Sequence, residues 1–190
     1  MENWGCMTFI PSILFPKEDL YYDVLYRAAR VICHEISHIW FGNLVTPKCW
    51  DYTWLSEGFA RYMESVALAE IRPKYKVCEL FCLSIKKEIL EYDNSSKTHP
   101  IEFACTDTKA MMAIFDQITY SKGACIIKML NNYVGEEQFR EAINIYLKTY
   151  SYGNVVPNDL WKIFNDVTKK PIGTIMETWF NSSGYFLLTK

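Results

Sequence analysis

The sequence predicts a mostly helical domain, a bundle with a short β segment at its N-terminus. Apolar residues recur at intervals of three to four over long stretches, the period of an α-helix with one buried face. Half of the 190 residues are apolar and 16% are aromatic, which is enough for one hydrophobic core and too much for a disordered chain. Glycine, proline and asparagine fall between the periodic stretches.

At the start of the chain, Asn3 to Ile10 is rich in aromatic and β-branched residues and reads as a strand, with Pro11 and Pro16 breaking the chain just after it. From about Tyr21 to Phe41 the residues Leu25, Ala28, Ile32, Ile36 and Ile39 form a helical stripe, and Gly42 and Asn43 suit its stop. Residues 43–51, which include Pro47, read as a loop. A second helix runs from about Thr53 to Ile71 on Leu55, Phe59, Tyr62, Met63 and Val66, with Pro73 beyond its end. Residues 74–92 repeat the pattern with Val77, Leu80, Phe81 and Ile85. YDNSSKTHP (92–100) is a loop by its turn residues. Shorter helices come next, at about 109–118, 121–133, 137–149, 158–168 and 172–182. Gly135 and Gly153 separate them, and Gly184 suits a C-terminal cap. The closing YFLLTK reads as the first strand of a further unit.

Composition excludes several classes. A net charge of −2 with mixed signs gives no basic patch, so no nucleic-acid partner is expected. No apolar run reaches the roughly 18 residues of a membrane span. The opening MENWGCMTF has no basic stretch leading into an apolar core, so it does not read as a signal peptide. The seven cysteines are odd in number and form no CxxC pair, so they read as small buried hydrophobes and not as metal ligands. Reduced thiols favour a cytoplasmic setting. The sequons at Asn94 and Asn181 would matter only in a secreted chain.

Residues 34–38 read HEISH and hold two of the three histidines. Residues four apart on a helix share a face, about 6 Å apart along the axis, so His34 and His38 can point at one ion. Glu35, one residue round, reaches a water on that ion. This is the physical content of the HExxH zinc pattern. A catalytic zinc needs a third protein ligand and an open position. A third histidine six residues after the second is absent, since that position is Leu44. His99 sits in a loop before Pro100 and is the weaker candidate. Glu57, 19 residues after His38 on the next helix, is the stronger one, because a roughly ten-residue loop lets the second helix pack back on the first. Spacing alone leaves Glu57 equally readable as a solvated helix glutamate.

HEISHIWFGNLVTPKCWDYTWLSEGFARYME resembles the zinc signature of the M1 (gluzincin) aminopeptidases, HExxH followed by 18 residues and Glu. MENWG resembles the end of that family's exopeptidase motif, which normally begins with Gly-Ala before the Met. TYSKGA (119–124) resembles the segment carrying its catalytic tyrosine, and DLWKIF and the METWF–GY stretch resemble the end of its catalytic domain. THPIE (98–102) looks most like the puromycin-sensitive branch. The resemblance implies a thermolysin-like zinc peptidase fold over 1–190, incomplete at its N-terminus and without the flanking β and C-terminal helical domains. It implies one zinc ion held by His34, His38 and Glu57, with Glu35 as general base. It further implies that Tyr120 donates to the oxyanion and that Glu2 binds the free α-amine of a peptide substrate. Glu64, seven residues after Glu57 on the same face, is either a partner that orients a ligand histidine or a solvated glutamate. The expected activity is zinc-dependent hydrolysis of the N-terminal peptide bond. The competing expectation is a truncated, inactive relative that holds zinc as a binding or regulatory piece.

Overall fold

The computed structural model describes residues 1–15 and 22–185. Among them the elements run α1 (Pro11–Leu14), α2 (Tyr22–Ser37), β1 (Val45–Pro47), α3 (Trp54–Ile71), α4 (Val77–Leu80), α5 (Lys86–Asp93), α6 (Thr108–Ala113), α7 (Gly123–Val134), α8 (Glu136–Thr149), β2 (Gly153–Val155), α9 (Pro157–Thr168) and α10 (Ile172–Phe180). The mostly α class holds. Tyr21, Pro16 and the expected terminal strand beyond Tyr185 lie outside the described residues.

Two local expectations are corrected. Residues 3–10 form no strand. Met1 and Thr8 exchange both backbone hydrogen bonds at 3.0 and 2.9 Å, so the segment closes on itself as a loop. A strand needs a ladder partner for its backbone groups, and residues 3–10 pair with none among the described elements. The β structure lies elsewhere: β1 pairs in parallel with β2, Val45 opposite Gly153 and Pro47 opposite Val155. At three residues each, with the partners far apart in sequence, these strands carry no readable alternation. The stretch 74–92 is also not one helix. A 3₁₀ turn at Pro73–Tyr75 comes first, and helical backbone begins only at Val77, running without interruption through α4, a π-helical turn at Phe81–Ile85, and α5. Lys76 sits in the left-handed region (φ 49°) where the break occurs.

The centre of the bundle is α3. Its apolar side chains Trp54, Leu55, Phe59 and Tyr62 enter one cluster with Ile118, Ile127, Leu130, Phe139, Leu160, Trp161, Phe164 and Phe180. Trp54 is fully buried, with its ring 4.0 Å from that of Phe180 and 5.6 Å from that of Trp161. Burying an aromatic side chain of this kind contributes on the order of 2 kcal/mol, so the Trp54 cluster fixes one end of α3. α2 packs along the opposite face of α3, which brings the histidines of the first helix against the second. On the α7 side, Gly58 meets Gly123 backbone to backbone. A Cβ on Gly58 would lie 3.4 Å from both Gly123 Cα and the Thr119 carbonyl oxygen. This close crossing sets the turn before α7 beside the polar stripe of α3.

Candidate metal centre and its cleft

α2 ends at Ser37, and His38 continues its last turn through a backbone bond to His34 O at 3.2 Å. The chain then reverses through Phe41 and Gly42. Gly42 has φ +127°, and a Cβ there would stand 3.3 Å from His38 Nδ1, so both backbone and space call for glycine. His38 Nδ1 donates to Phe41 O at 2.9 Å, while His34 Nδ1 lies 3.3 Å from Glu64 Oε2. With both Nδ1 atoms facing acceptors, each neutral ring turns an Nε2 lone pair the other way.

Those lone pairs converge with Glu57. His34 Nε2 to His38 Nε2 is 3.1 Å, and each Nε2 is 3.2 Å from Glu57 Oε2. Glu57 is buried at 6% exposure, so it is no solvated helix glutamate. Three acceptors at such distances repel one another unless a cation sits among them. In the protein alone a proton meets that demand. Burial pulls the His34 imidazole down, but its hydrogen bonds to Glu57 and Glu64 outweigh this and raise it to about 9. Burial would raise Glu57, yet hydrogen bonds from His34 and His38 hold it at about 2. A metal ion meets the demand for all three at once. Donors about 2.0 Å from zinc at the corners of a tetrahedron stand roughly 3.3 Å apart, close to the triangle seen here. His34, His38 and Glu57 are the one His/Cys/Asp/Glu group among the described residues whose ligand atoms cluster this way.

His99, the other candidate, is not part of this cluster. Its Nε2 lies 3.1 Å from Asp116 Oδ2. Glu35 is mostly buried at the mouth of the cleft, 3.2 Å from the Met1 nitrogen. Tyr120 sits on a π-helical turn, Ile118–Lys122, with its ring stacked on His34 at 5.9 Å between centroids. Burial, then the Glu57 carboxylate, push its phenol well above the ordinary value, so it stays protonated and able to donate. His34, Glu35 and Tyr120 line two cavities at once, of about 540 and 500 Å³. His38 and Glu57 line only the first of these, so the converging lone pairs face that cavity. Glu2 lines the first cavity with His38 and Glu57, and its backbone carbonyl accepts from Asn43 Nδ2 at 2.7 Å. Glu64 is buried at 2% exposure, turned inward toward His34.

Sequence reasoning missed four residues here. Asn43 ties the Glu2 segment to the end of α2 across 41 residues, and nothing in the sequence signals that contact. Asp116 organises the Tyr120 turn. Arg30 and Arg61 both contact Glu64. Their positions, one turn before His34 and three residues before Glu64, are helix-face spacings that could have drawn notice.

Two imidazoles and a carboxylate aimed at one point, with a second carboxylate lining the same cavity, make a donor set that could hold a metal ion with an acid–base group at hand. Comparison with known proteins is more specific. Residues 1–179 match the peptidase family M1 domain, and the chain belongs to that family. It is 41% identical over 185 residues to a leucyl aminopeptidase of Saccharolobus solfataricus, covering 97% of this chain and 24% of that protein. It is 41% identical over 188 residues to the tricorn protease-interacting factor F2 of Thermoplasma volcanium, covering 99% and 24%. It is 37% identical over 186 residues to the mitochondrial aminopeptidase 2 of Saccharomyces cerevisiae, covering 97% and 20%. The chain thus spans about a quarter or less of the length of these relatives. They do not single out the puromycin-sensitive branch.

Proposed function

We propose that residues 1–190 belong to the catalytic domain of a zinc aminopeptidase that releases the first residue of peptides with a free N-terminus. The observation that carries this is the triangle of acceptors formed by His34, His38 and Glu57, in a chain of peptidase family M1. These three residues hold one zinc ion. When bound there, zinc supplies a Lewis acid that polarises the scissile carbonyl and acidifies a water.

The chain's own residues supply the rest. Glu35 takes a proton from the attacking water as its oxygen bonds to the carbonyl carbon. The C–N bond then breaks, and Glu35 returns the proton to the departing amine nitrogen, so the carboxylate is regenerated. Tyr120 donates from its phenol to the carbonyl oxygen as negative charge builds there, a contact worth about 3 kcal/mol when preorganised. Stacking against His34 and burial support this role, because both hold the ring in place and keep it protonated. Glu2 pairs with the substrate's α-ammonium. Its place in the same cavity as the ligands supports that role, and the pairing would make the enzyme act only on the first bond. Glu64 orients His34 through Nδ1.

The test measures zinc content and hydrolysis of aminoacyl fluorogenic amides for the chain and for Glu35→Gln. One equivalent of zinc in both, with turnover about 10²- to 10⁴-fold lower in the variant, is the expected result. Zinc without turnover in either protein would favour a metal-holding, inactive piece. Equal cleavage of N-acetylated and free peptides would remove the role given to Glu2.

A further inference from the structure

Two arginines beside the metal centre have no part in that mechanism, and both meet Glu64. The two oxygens of Glu64 face different partners. Oε2 lies 3.3 Å from His34 Nδ1. Oε1 accepts from Arg30 Nε at 2.8 Å and also from Arg61 Nη1. Arg30 stands on α2 one turn before His34, and Arg61 on α3 four residues after Glu57. Each helix that bears a ligand therefore sends one arginine to the same oxygen.

We propose that Arg30 and Arg61 are positioning residues for the metal centre. They clamp Oε1 of Glu64, which fixes Oε2 on His34 Nδ1 and keeps the His34 Nε2 lone pair aimed at the point it shares with His38 and Glu57. This rests on reading those three residues as the zinc ligands. The last torsion of a glutamate is soft, so a carboxylate bonded only to an imidazole can swing. Two guanidiniums gripping the other oxygen remove that freedom, and charge-assisted bonds are the strong kind. The clamp also answers an electrostatic need. Glu64 is buried, shares His34 with Glu57 and lines the second cavity with Glu35, so an uncompensated anion there would be costly. With Glu64 free to turn away, the imidazole loses the acceptor that sets its tautomer and ring angle. Arg30 is a quarter exposed at the wall of the second cavity, so shortening it opens space to water and leaves no void in the core.

The experiment determines the zinc dissociation constant of the full chain by competition with a chromophoric chelator. Arg30→Met is expected to weaken zinc binding about 10- to 100-fold, the range for partners of ligand histidines, and Arg30→Lys to weaken it less. Because Arg30 acts through Glu64, Arg30→Met on a Glu64→Gln background should add little beyond Glu64→Gln alone. In the cobalt(II)-substituted protein, Arg30→Met should shift the visible absorption band. Unchanged zinc affinity in both Arg30→Met and Arg61→Met, with only a lower melting temperature, would reduce the arginines to charge compensation and overturn the proposal. Fully additive losses in the double variant would overturn it as well. If Arg30→Met does not fold, Arg30→Lys carries the same comparison. Glu57→Gln is the control for the underlying reading. If zinc still binds to it with unchanged affinity, the ligand assignment itself fails, whatever the arginines do.

Discussion

A glutamate inside a helix is ordinarily solvated, and Glu57 departs from this because α2 packs against the face that carries it. Once the two imidazoles close over the carboxylate, its proton affinity and that of His34 become one problem. In the metal-free protein His34 is raised from 6.5 to about 9. The stability it contributes is fully present below 6.5 and is lost as pH rises through about 9. Glu57 is lowered from 4.5 to about 2, so its contribution is present above 4.5 and is lost as pH falls through about 2. Chelator-stripped protein is therefore expected to melt highest between pH 4.5 and 6.5. Under the proposed ligand set zinc displaces the His34 proton, so its apparent affinity should rise with pH until about 9. Melting curves across pH, with and without chelator, check the first expectation, and zinc titrations at two pH values check the second. A stripped protein whose melting temperature stays flat from pH 2 to 9 would contradict the coupling.

At the level of elements, the turn that carries Tyr120 is the part of the site least visible in sequence. Asp116 Oδ1 accepts from Ile118 N at 2.9 Å and Thr119 N at 3.2 Å. Its Oδ2 meets both His99 Nε2 and the Tyr92 hydroxyl at 3.1 Å. Spacing gives two helices here, near 109–118 and 121–133; the first ends already at Ala113, residues 114–116 turn the chain, and a π-helical turn at Ile118–Lys122 leads into the second. Such a turn holds one residue more than an α turn and leaves the apolar rhythm almost intact, so periodicity passes over it. Asp116→Asn keeps the shape but replaces one acceptor oxygen with a donor amide. It should lower kcat about 10- to 100-fold through displacement of Tyr120, with zinc stoichiometry unchanged. Steady-state kinetics beside metal analysis separate that outcome from loss of the site. The crossing of α3 and α7 makes a second expectation. Gly58→Val places branched carbons where a Cβ alone already stands 3.4 Å from Gly123 Cα. It should cost about 1–3 kcal/mol, read as a lower denaturation midpoint with unchanged m-value.

Across the whole molecule, what was legible depended on how far apart in sequence the cooperating residues lie. HEISH is local, so its shared helix face could be read directly. Glu57 needed one packing step, and spacing left it equally readable as a solvated glutamate, which its burial excludes. Glu2 and Tyr120 come from distant segments, and only the family resemblance pointed to them. The parallel pairing of β1 with β2, and the loop made by residues 1–8, arise from long-range contacts with no local pattern. Lys122 is a further case, since in sequence it reads as an ordinary helix lysine. Its Nζ is instead buried, 3.0 Å from Asp93 Oδ2, and it donates to Ser182 O at 3.3 Å and Gly184 O at 2.8 Å. Asp93 also accepts from Thr98 Oγ1 and Gly184 N. One ammonium thus ties the end of α5, the Tyr120 turn and the residues after α10 together. Both partners are almost free of solvent, so removing one strands the other's charge in the interior. Lys122→Met should destabilise the fold by about 3–5 kcal/mol, far more than a surface pair. For a chain of this size that is a fall in Tm of about 10 °C. Asp93→Asn should fall less, because the amide oxygen can still accept from Lys122, Thr98 and Gly184. Calorimetric melts of the two variants test the staple, and a Lys122→Met protein whose melt overlays the parent's would show that the buried ammonium is dispensable.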